Sequence, residues 1–271
     1  MCSVKTFPLL GLFSSRRKYI TKLNLKNEIS LTYPSGIILT EPAIQNWLYL
    51  KDESMIDTEK SSIFLIRKQD YRVTQWKNKS GQSLEIAIFP PQASLNENTF
   101  LWRLSSAQLI ENGPFSEFPG YNRYLALING KTLQLTFPLG HPSVTLKNCD
   151  VHHFSGDIRV SYHLIAPPIS DLNLIYKRDK VKAHFKIIHL SMKPRSFYLE
   201  GKVALLFGVL GSTNATFYPG EQKFVIKTFE TLLINLPKET NPCRKNKEEG
   251  LILLEPKSPG SLALIELDWT S

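Results

Sequence analysis

The sequence predicts an all-β protein, a sandwich or a barrel, on three observations. Its apolar stretches are of strand length, and several alternate with polar residues. Gly, Pro and Asn interrupt them at short intervals. Helical periodicity is scarce, so helices are expected only as short pieces.

Residues 1 to 60 mix short apolar pieces, Ile37-Ile-Leu39 and Trp47-Leu-Tyr-Leu50, with Pro34, Gly36 and Pro42. They end in the polar run Lys51 to Lys60 and read as an amino-terminal extension. It is either docked on the β core through Trp47, Leu48 and Leu50 or a mobile arm. The β domain is expected over residues 61 to 271. Ile63-Phe-Leu-Ile66 is its first strand, followed by the basic loop Arg67-Lys-Gln-Asp70. Tyr124 to Phe137 reads as a hairpin, because Asn129-Gly130 supplies the two positive-φ positions of a type I′ turn. Asp171-Leu-Asn-Leu-Ile-Tyr176 and Ala183-His-Phe-Lys-Ile-Ile188 alternate as half-buried strands do. Val203 to Leu210 then passes through Gly211-Ser-Thr-Asn214 into Ala215-Thr-Phe-Tyr218. Strand-turn-strand thus occurs at 124–137 and again at 203–218. A further β-rich stretch follows each, Ser143-Val-Thr-Leu146 and Lys223-Phe-Val-Ile226, a faint internal echo.

A chain of 271 residues suits one large domain or two half-domains sharing a core. With 42% apolar and 21% charged residues, its composition is ordinary for a globular protein. No run of about 18 apolar residues occurs, so no membrane span is expected. The formal net charge is +9, but Lys5, Arg16, Arg17, Lys18, Lys22 and Lys26 fall in an acid-free start. Elsewhere basic residues alternate with Glu and Asp, without zinc-finger spacing or an RNP-like aromatic motif. A solvated basic surface explains this better than a specific nucleic-acid partner. Cys2, Cys149 and Cys243 are too few and too far apart for a disulfide framework or a zinc site. They read as reduced thiols of a cytoplasmic protein. Phe7 to Phe13 is short and broken by Pro8 and Gly11, unlike a secretory leader; an organelle transit peptide is the alternative for this start.

Candidate chemistry concentrates between residues 76 and 123. In Trp102-Arg-Leu-Ser-Ser-Ala, strand alternation places Trp102 and Leu104 on one side and Arg103 and Ser105 on the other. An Arg103 aimed into a barrel would offer a carboxylate a permanently charged fork; its rival is a surface ion pair with a Glu. In Gly113-Pro-Phe-Ser-Glu-Phe-Pro-Gly120 the glycines and prolines fix turns, and Phe115 and Phe118 can plug a barrel end. Arg123 follows as a second cation. Asp171 and Asn173 share a strand face and would hydrogen-bond a ligand or satisfy strand ends. His152 and His153 are adjacent and so alternate faces; with His141, His163, His184 and His189 scattered, no metal is expected. One of the pair could still face a pocket. No Gly-x-Ser-x-Gly elbow and no phosphate-binding glycine loop occurs.

Four segments, Trp76-Lys-Asn, Glu85-Ile-Ala-Ile-Phe-Pro-Pro, Trp102-Arg-Leu-Ser-Ser-Ala and Gly113 to Arg123, resemble the HutD/Ves family of small cupin-type β proteins. The resemblance runs from about Ile63 to Ile188, with a looser match to the end. It implies a double-stranded β-helix jelly roll with two cupin-like halves, a bicupin, without metal or cofactor. It also implies a place beside histidine degradation, with no established enzymatic activity. Lys79-Ser-Gly-Gln-Ser-Leu84 departs from the family pattern, which has more glycines and an Arg where Leu84 stands.

The expected function is therefore metal-free binding of a small carboxylate or amide metabolite, in a regulatory or accessory role. Arg103 would hold the acid, with Lys77, Asn78, Glu85 and Arg123 shaping the site. Urocanate and N-formylglutamate are the ligands the resemblance suggests, and a homodimer is the expected assembly. A metal-independent isomerase, lyase or hydrolase is the alternative; it would use Glu85 or His152 as general base and show a strongly shifted pKa in the pocket. An interaction protein whose pocket is filled by side chains is the third class, marked by a small cavity.

Overall fold

The computed structural model describes residues 61–76, 81–236 and 250–270, with the backbone of three short strands nearer the amino terminus. Those strands, β1 (Ile20–Leu23), β2 (Ile29–Thr32) and β3 (Ile38–Leu39), form one antiparallel sheet. The chain divides into two compact units, Met1–Leu48 and Tyr49–Ser271. Trp47, Leu48 and Leu50, and Lys77 and Asn78 of the expected site, lie outside the described residues.

The described residues of the larger unit are all-β apart from one short 3-10 turn at Lys68–Asp70. Its strands fall into two halves that repeat one topology. The first half begins with β5 (Arg72–Gln75), β6 (Gln82–Phe89), β7 (Trp102–Leu109), β8 (Gly113–Pro114) and β9 (Tyr121–Asn129). It continues with β10 (Thr132–Thr136), β11 (Val144–Lys147), β12 (Val151–Ser155), β13 (Ser161–Ile165) and β14 (Ile169–Lys177). One sheet runs β12-β9-β14-β7-β6-β5 and faces a second, β11-β10-β13-β8.

The second half comprises β15 (Val181–Leu190), β16 (Arg195–Tyr198), β17 (Val203–Leu210) and β18 (Ser212–Phe217). It closes with β19 (Gln222–Lys227), β20 (Thr231–Asn235), β21 (Leu251–Pro256) and β22 (Gly260–Trp269). Its sheets run β15-β22-β17-β20 and β16-β21-β18-β19, the same orders as β7-β14-β9-β12 and β8-β13-β10-β11 eight strands earlier. The first described strand of the larger unit, β4 (Ser62–Ile66), pairs with β20 and so joins the second half.

The two larger sheets pack face to face. Trp102, Leu104, Leu172 and Leu174 meet Val203, Leu205, Phe207 and Ile265 in one buried cluster. Each fully buried large apolar side chain there contributes about 1.5–3 kcal/mol. Trp102 and Leu104 thus face this shared core, and Arg103 and Ser105 face the interior of the first half, as their alternation requires.

The hairpin expected over 124–137 does not form. β9 and β10 lie in different sheets, and Asn129-Gly130 is the corner between them, with Gly130 at φ +112°. Alternation sets which side of a strand is apolar, and here Leu125 and Leu127 on β9 and Leu133 and Leu135 on β10 face one interior from opposite sheets. Gly211, at φ +83°, makes the equivalent corner between β17 and β18. The faint echo in the sequence is this repeated corner.

Candidate functional site

The interiors of the two halves differ in chemistry. In the second half, Leu190, Ala204, Leu206, Phe217, Ile234 and Leu264 belong to an apolar cluster, and the buried polar residues of its strands, Thr213, Thr216, Thr231 and Ser261, are all uncharged. In the first half, β6, β7, β9 and β14 send Glu85, Arg103, Arg123 and Asp171 inward, each between 2% and 4% exposed. Burying charge is expensive unless something compensates it, so a stability argument alone would have repeated the uncharged filling.

Arg103 donates four hydrogen bonds to its neighbours. Its Nε donates to Glu85 Oε2 at 2.7 Å and Nη1 to Ser105 Oγ at 2.8 Å. Nη2 donates to Thr74 Oγ1 at 2.7 Å and Ser83 Oγ at 3.0 Å. The other oxygen of Glu85 pairs with the half-exposed Arg72. Burial lowers the Arg103 pKa, and the Glu85 carboxylate opposes that shift. The open alternatives for Arg103, pocket cation or ion pair, meet in one residue that lines the cavity and is already paired.

Arg123 is placed differently. Its guanidinium carbon lies 4.7 Å from the Phe115 ring centre, 5.2 Å from that of Phe154 and 5.9 Å from that of Phe118. Nη1 donates to the Ser116 carbonyl at 3.2 Å, and Nε makes a long contact of 3.4 Å to Asn173 Oδ1. No carboxylate of the described residues comes within 4.0 Å of it. Burial lowers its pKa to about 10, opposed by Asp171 and reinforced by Arg103, and it remains charged at neutral pH.

Asp171 is the residue the sequence understated. β14 carries a bulge against β9 between Ser170 and Asp171, and β6 carries one against β7 between Glu85 and Ala87. Both buried carboxylates therefore sit at interrupted ladders, where a strand re-aims a side chain. Asp171 Oδ1 accepts the Ala107 N–H at 2.8 Å, and its main-chain carbonyl accepts the Ser106 hydroxyl at 2.6 Å. Burial pushes its pKa up to about 7, against the Ala107 hydrogen bond and the two arginines.

Trp76, Ser83, Arg103, Ser105, Phe115, Arg123, Asp171 and Asn173 line a cavity of about 40 Å³. One water needs roughly 10–15 Å³ of such space, so the cavity takes a group of a few heavy atoms. Trp76, Ser83 and Ala107 also line an outer groove of about 720 Å³, with Gln82, Gln108 and Asn112. The segment 113–120, read mainly as architecture, supplies a cation–π wall and a carbonyl to Arg123.

The histidines stay out of the cavity, which corrects the expectation that His152 or His153 faces it. β12 is an edge strand; His153 hydrogen-bonds the Tyr176 hydroxyl at 2.9 Å, and His152 packs on Phe137 and Phe154. Among the described residues no three His, Cys, Asp or Glu side chains group as metal ligands. No described helix is long and apolar enough to cross a membrane.

Comparison with known proteins agrees with this architecture. A family model, HutD, matches residues 68–252. An uncharacterized 21.2 kDa protein in the hutC 3′ region of Pseudomonas putida is 36% identical over 126 residues, 46% of this chain. Protein Ves of Citrobacter koseri is 36% identical over 125 residues, again 46% of this chain. The chain spans 64% and 62% of these two relatives' lengths. HutD from Pseudomonas fluorescens SBW25 superposes with a TM-score of 0.59 at 28% identity, covering 78% of this chain and 100% of that one. An oxalate decarboxylase, at 6% identity and a TM-score of 0.51, covers 79% of this chain and 80% of its own, a likeness of fold alone. The fold is an all-β cupin-type jelly roll, and the chain belongs to the HutD family.

Proposed function

We propose that this protein binds a small carboxylate in the cavity of its first half, with Arg123 as the cation that receives the acid. One observation carries this reading: Arg123 is buried in a cavity wall with no described carboxylate at ion-pair distance, in a jelly roll whose second half buries no charged residue among those described. A charge-assisted hydrogen bond to such a cation contributes about 1.5–3 kcal/mol. Arg103, which Glu85 neutralises, positions the wall and adds less net charge.

The cavity admits the acid group of a ligand, and the remainder would extend past Trp76, Ser83 and Ala107 into the outer groove. Its small volume is what a side-chain-filled scaffold would also show. A scaffold, however, gives no reason for a buried cation without a carboxylate at ion-pair distance. Through the resemblance to HutD, products of histidine breakdown such as urocanate and N-formylglutamate are the candidate ligands, and the role is accessory or regulatory.

Thermal-shift titration with formate, acetate, urocanate and N-formylglutamate tests this reading. Formate belongs in the panel because HutD from Pseudomonas fluorescens SBW25 was solved in a formate condition. At 100 times its dissociation constant a ligand adds about 2.7 kcal/mol to the folded state. A shift that is lost in Arg123→Gln supports the site; no shift with any acid overturns it.

Asp171 supports one second reading, metal-independent acid–base catalysis. Its raised pKa is the mark that reading requires, and it takes the place expected for Glu85 or His152. Turnover of a panel acid followed by NMR, lost in Asp171→Asn, would select it.

A further inference from the structure

We propose that carboxylate binding in this cavity is coupled to uptake of one proton by Asp171, whose second oxygen then donates a hydrogen bond to the ligand. This inference rests on the binding reading above and assigns Asp171 a place in recognition.

The geometry of Asp171 carries it. Oδ1 is held by the Ala107 N–H, whereas Oδ2 takes no hydrogen bond from the described residues, and the side chain lines the cavity. The charged and titratable groups facing it come from every neighbouring strand: Arg103 on β7, Arg123 on β9 and Tyr162 on β13, with Glu85 on β6 behind Arg103. Arg103 spends four of its five N–H groups on Glu85, Ser105, Thr74 and Ser83, and makes no hydrogen bond to Asp171 among the described residues. Arg123 shares the cavity with Asp171 without pairing to it at ion-pair distance.

An anion entering between these two groups meets one cation and one carboxyl group. Two carboxylates in a desolvated site repel strongly, so the pair holds a single negative charge between them. A proton taken from solvent onto Oδ2 removes the repulsion and turns an acceptor into a donor. The ligand's two oxygens then receive one hydrogen bond from Arg123 and one from Asp171. An amide or alcohol lacks the negative charge that draws the proton in, so the site discriminates for acids.

Because Asp171 alone titrates near pH 7 in this cavity, anion affinity should be level below that pH and fall roughly tenfold per pH unit above it. The test is calorimetric titration of the full chain with sodium formate between pH 6 and 9, in buffers of different ionisation enthalpy. At pH 8 the protein should take up close to one proton per formate bound. Asp171→Asn should bind with no proton uptake and little change in affinity across that range. Binding without proton uptake by the parent protein overturns the inference and leaves the carboxylate site intact. No binding at any pH overturns both. If Asp171→Asn does not fold, the two-buffer measurement on the parent decides alone.

Discussion

Arg103 and Glu85 form an ion pair across adjacent strands, Nε to Oε2 at 2.7 Å, with each side chain 3% exposed. The bulge that follows Glu85 aims its carboxylate at this guanidinium. Removing one partner strands the other in a low-dielectric interior. Glu85→Gln should therefore destabilise the protein by about 3–5 kcal/mol. The double variant Glu85→Leu with Arg103→Met should recover most of that loss. Arg72→Ala, which removes the half-exposed partner, should cost below about 1 kcal/mol. Urea denaturation ranks all three; a Glu85→Gln protein as stable as its parent would refute a buried pair.

The unpaired Arg123 predicts the opposite sign. Arg123→Met keeps contact with Phe115, Phe118 and Phe154 and removes a buried charge. Stability should rise by about 1–2 kcal/mol while carboxylate binding disappears. Chemical denaturation beside ligand titration reads both. A destabilised variant would mean that the cation belongs to the fold rather than to a ligand.

Asp171 makes stability depend on pH in a defined window. Its folded pKa of about 7 lies above the unfolded value, so between about pH 4 and 7 the folded state holds the extra proton. That contribution is fully present below about pH 4 and is lost as pH rises through 7, at up to about 1.4 kcal/mol per pH unit. Relative to the parent, Asp171→Asn should gain stability as pH rises across that window and then level off. Melting curves of both proteins from pH 4 to 8.5 check the sign; parallel curves would place Asp171 as an ordinary ionised carboxylate.

Gly130 tests the corner that separates the two sheets. A Cβ there would stand 2.2 Å from Ile169 Cγ2, at a φ of +112° that L residues rarely adopt. Gly130→Ala should cost more than about 1 kcal/mol in urea denaturation. Within a tight two-residue hairpin the same change would be felt through φ alone. A neutral substitution would contradict the close approach of β9's end to β14.

Much of this was legible in the sequence, and the failures have physical causes. Alternation placed Trp102 and Leu104 opposite Arg103 and Ser105, because a strand's period is a local property. It could not assign β9 and β10 to separate sheets, since a turn after Asn129 looks the same whether the chain folds back or crosses over. Asp171 was visible as a polar strand residue able to hydrogen-bond a ligand or to satisfy a strand end, with nothing to decide between them. Its importance comes from a bulge against β9, which no residue type marks, and from Arg123, 48 positions away in a neighbouring strand. Phe115 was legible as a barrel plug but not as a wall for Arg123, and Ser116 was hidden within a segment whose glycines and prolines announce turns. The repeat of eight strands left only the two glycine corners and the β-rich stretches after them as a trace, because one interior buries charged residues and the described part of the other does not.

A high-resolution crystal structure of the protein grown with formate should show planar three-atom density in the first-half cavity, with one oxygen within about 3 Å of an Arg123 nitrogen and the other equally close to Asp171 Oδ2. Water alone in that cavity, at formate concentrations that shift the melting temperature, would contradict carboxylate binding there.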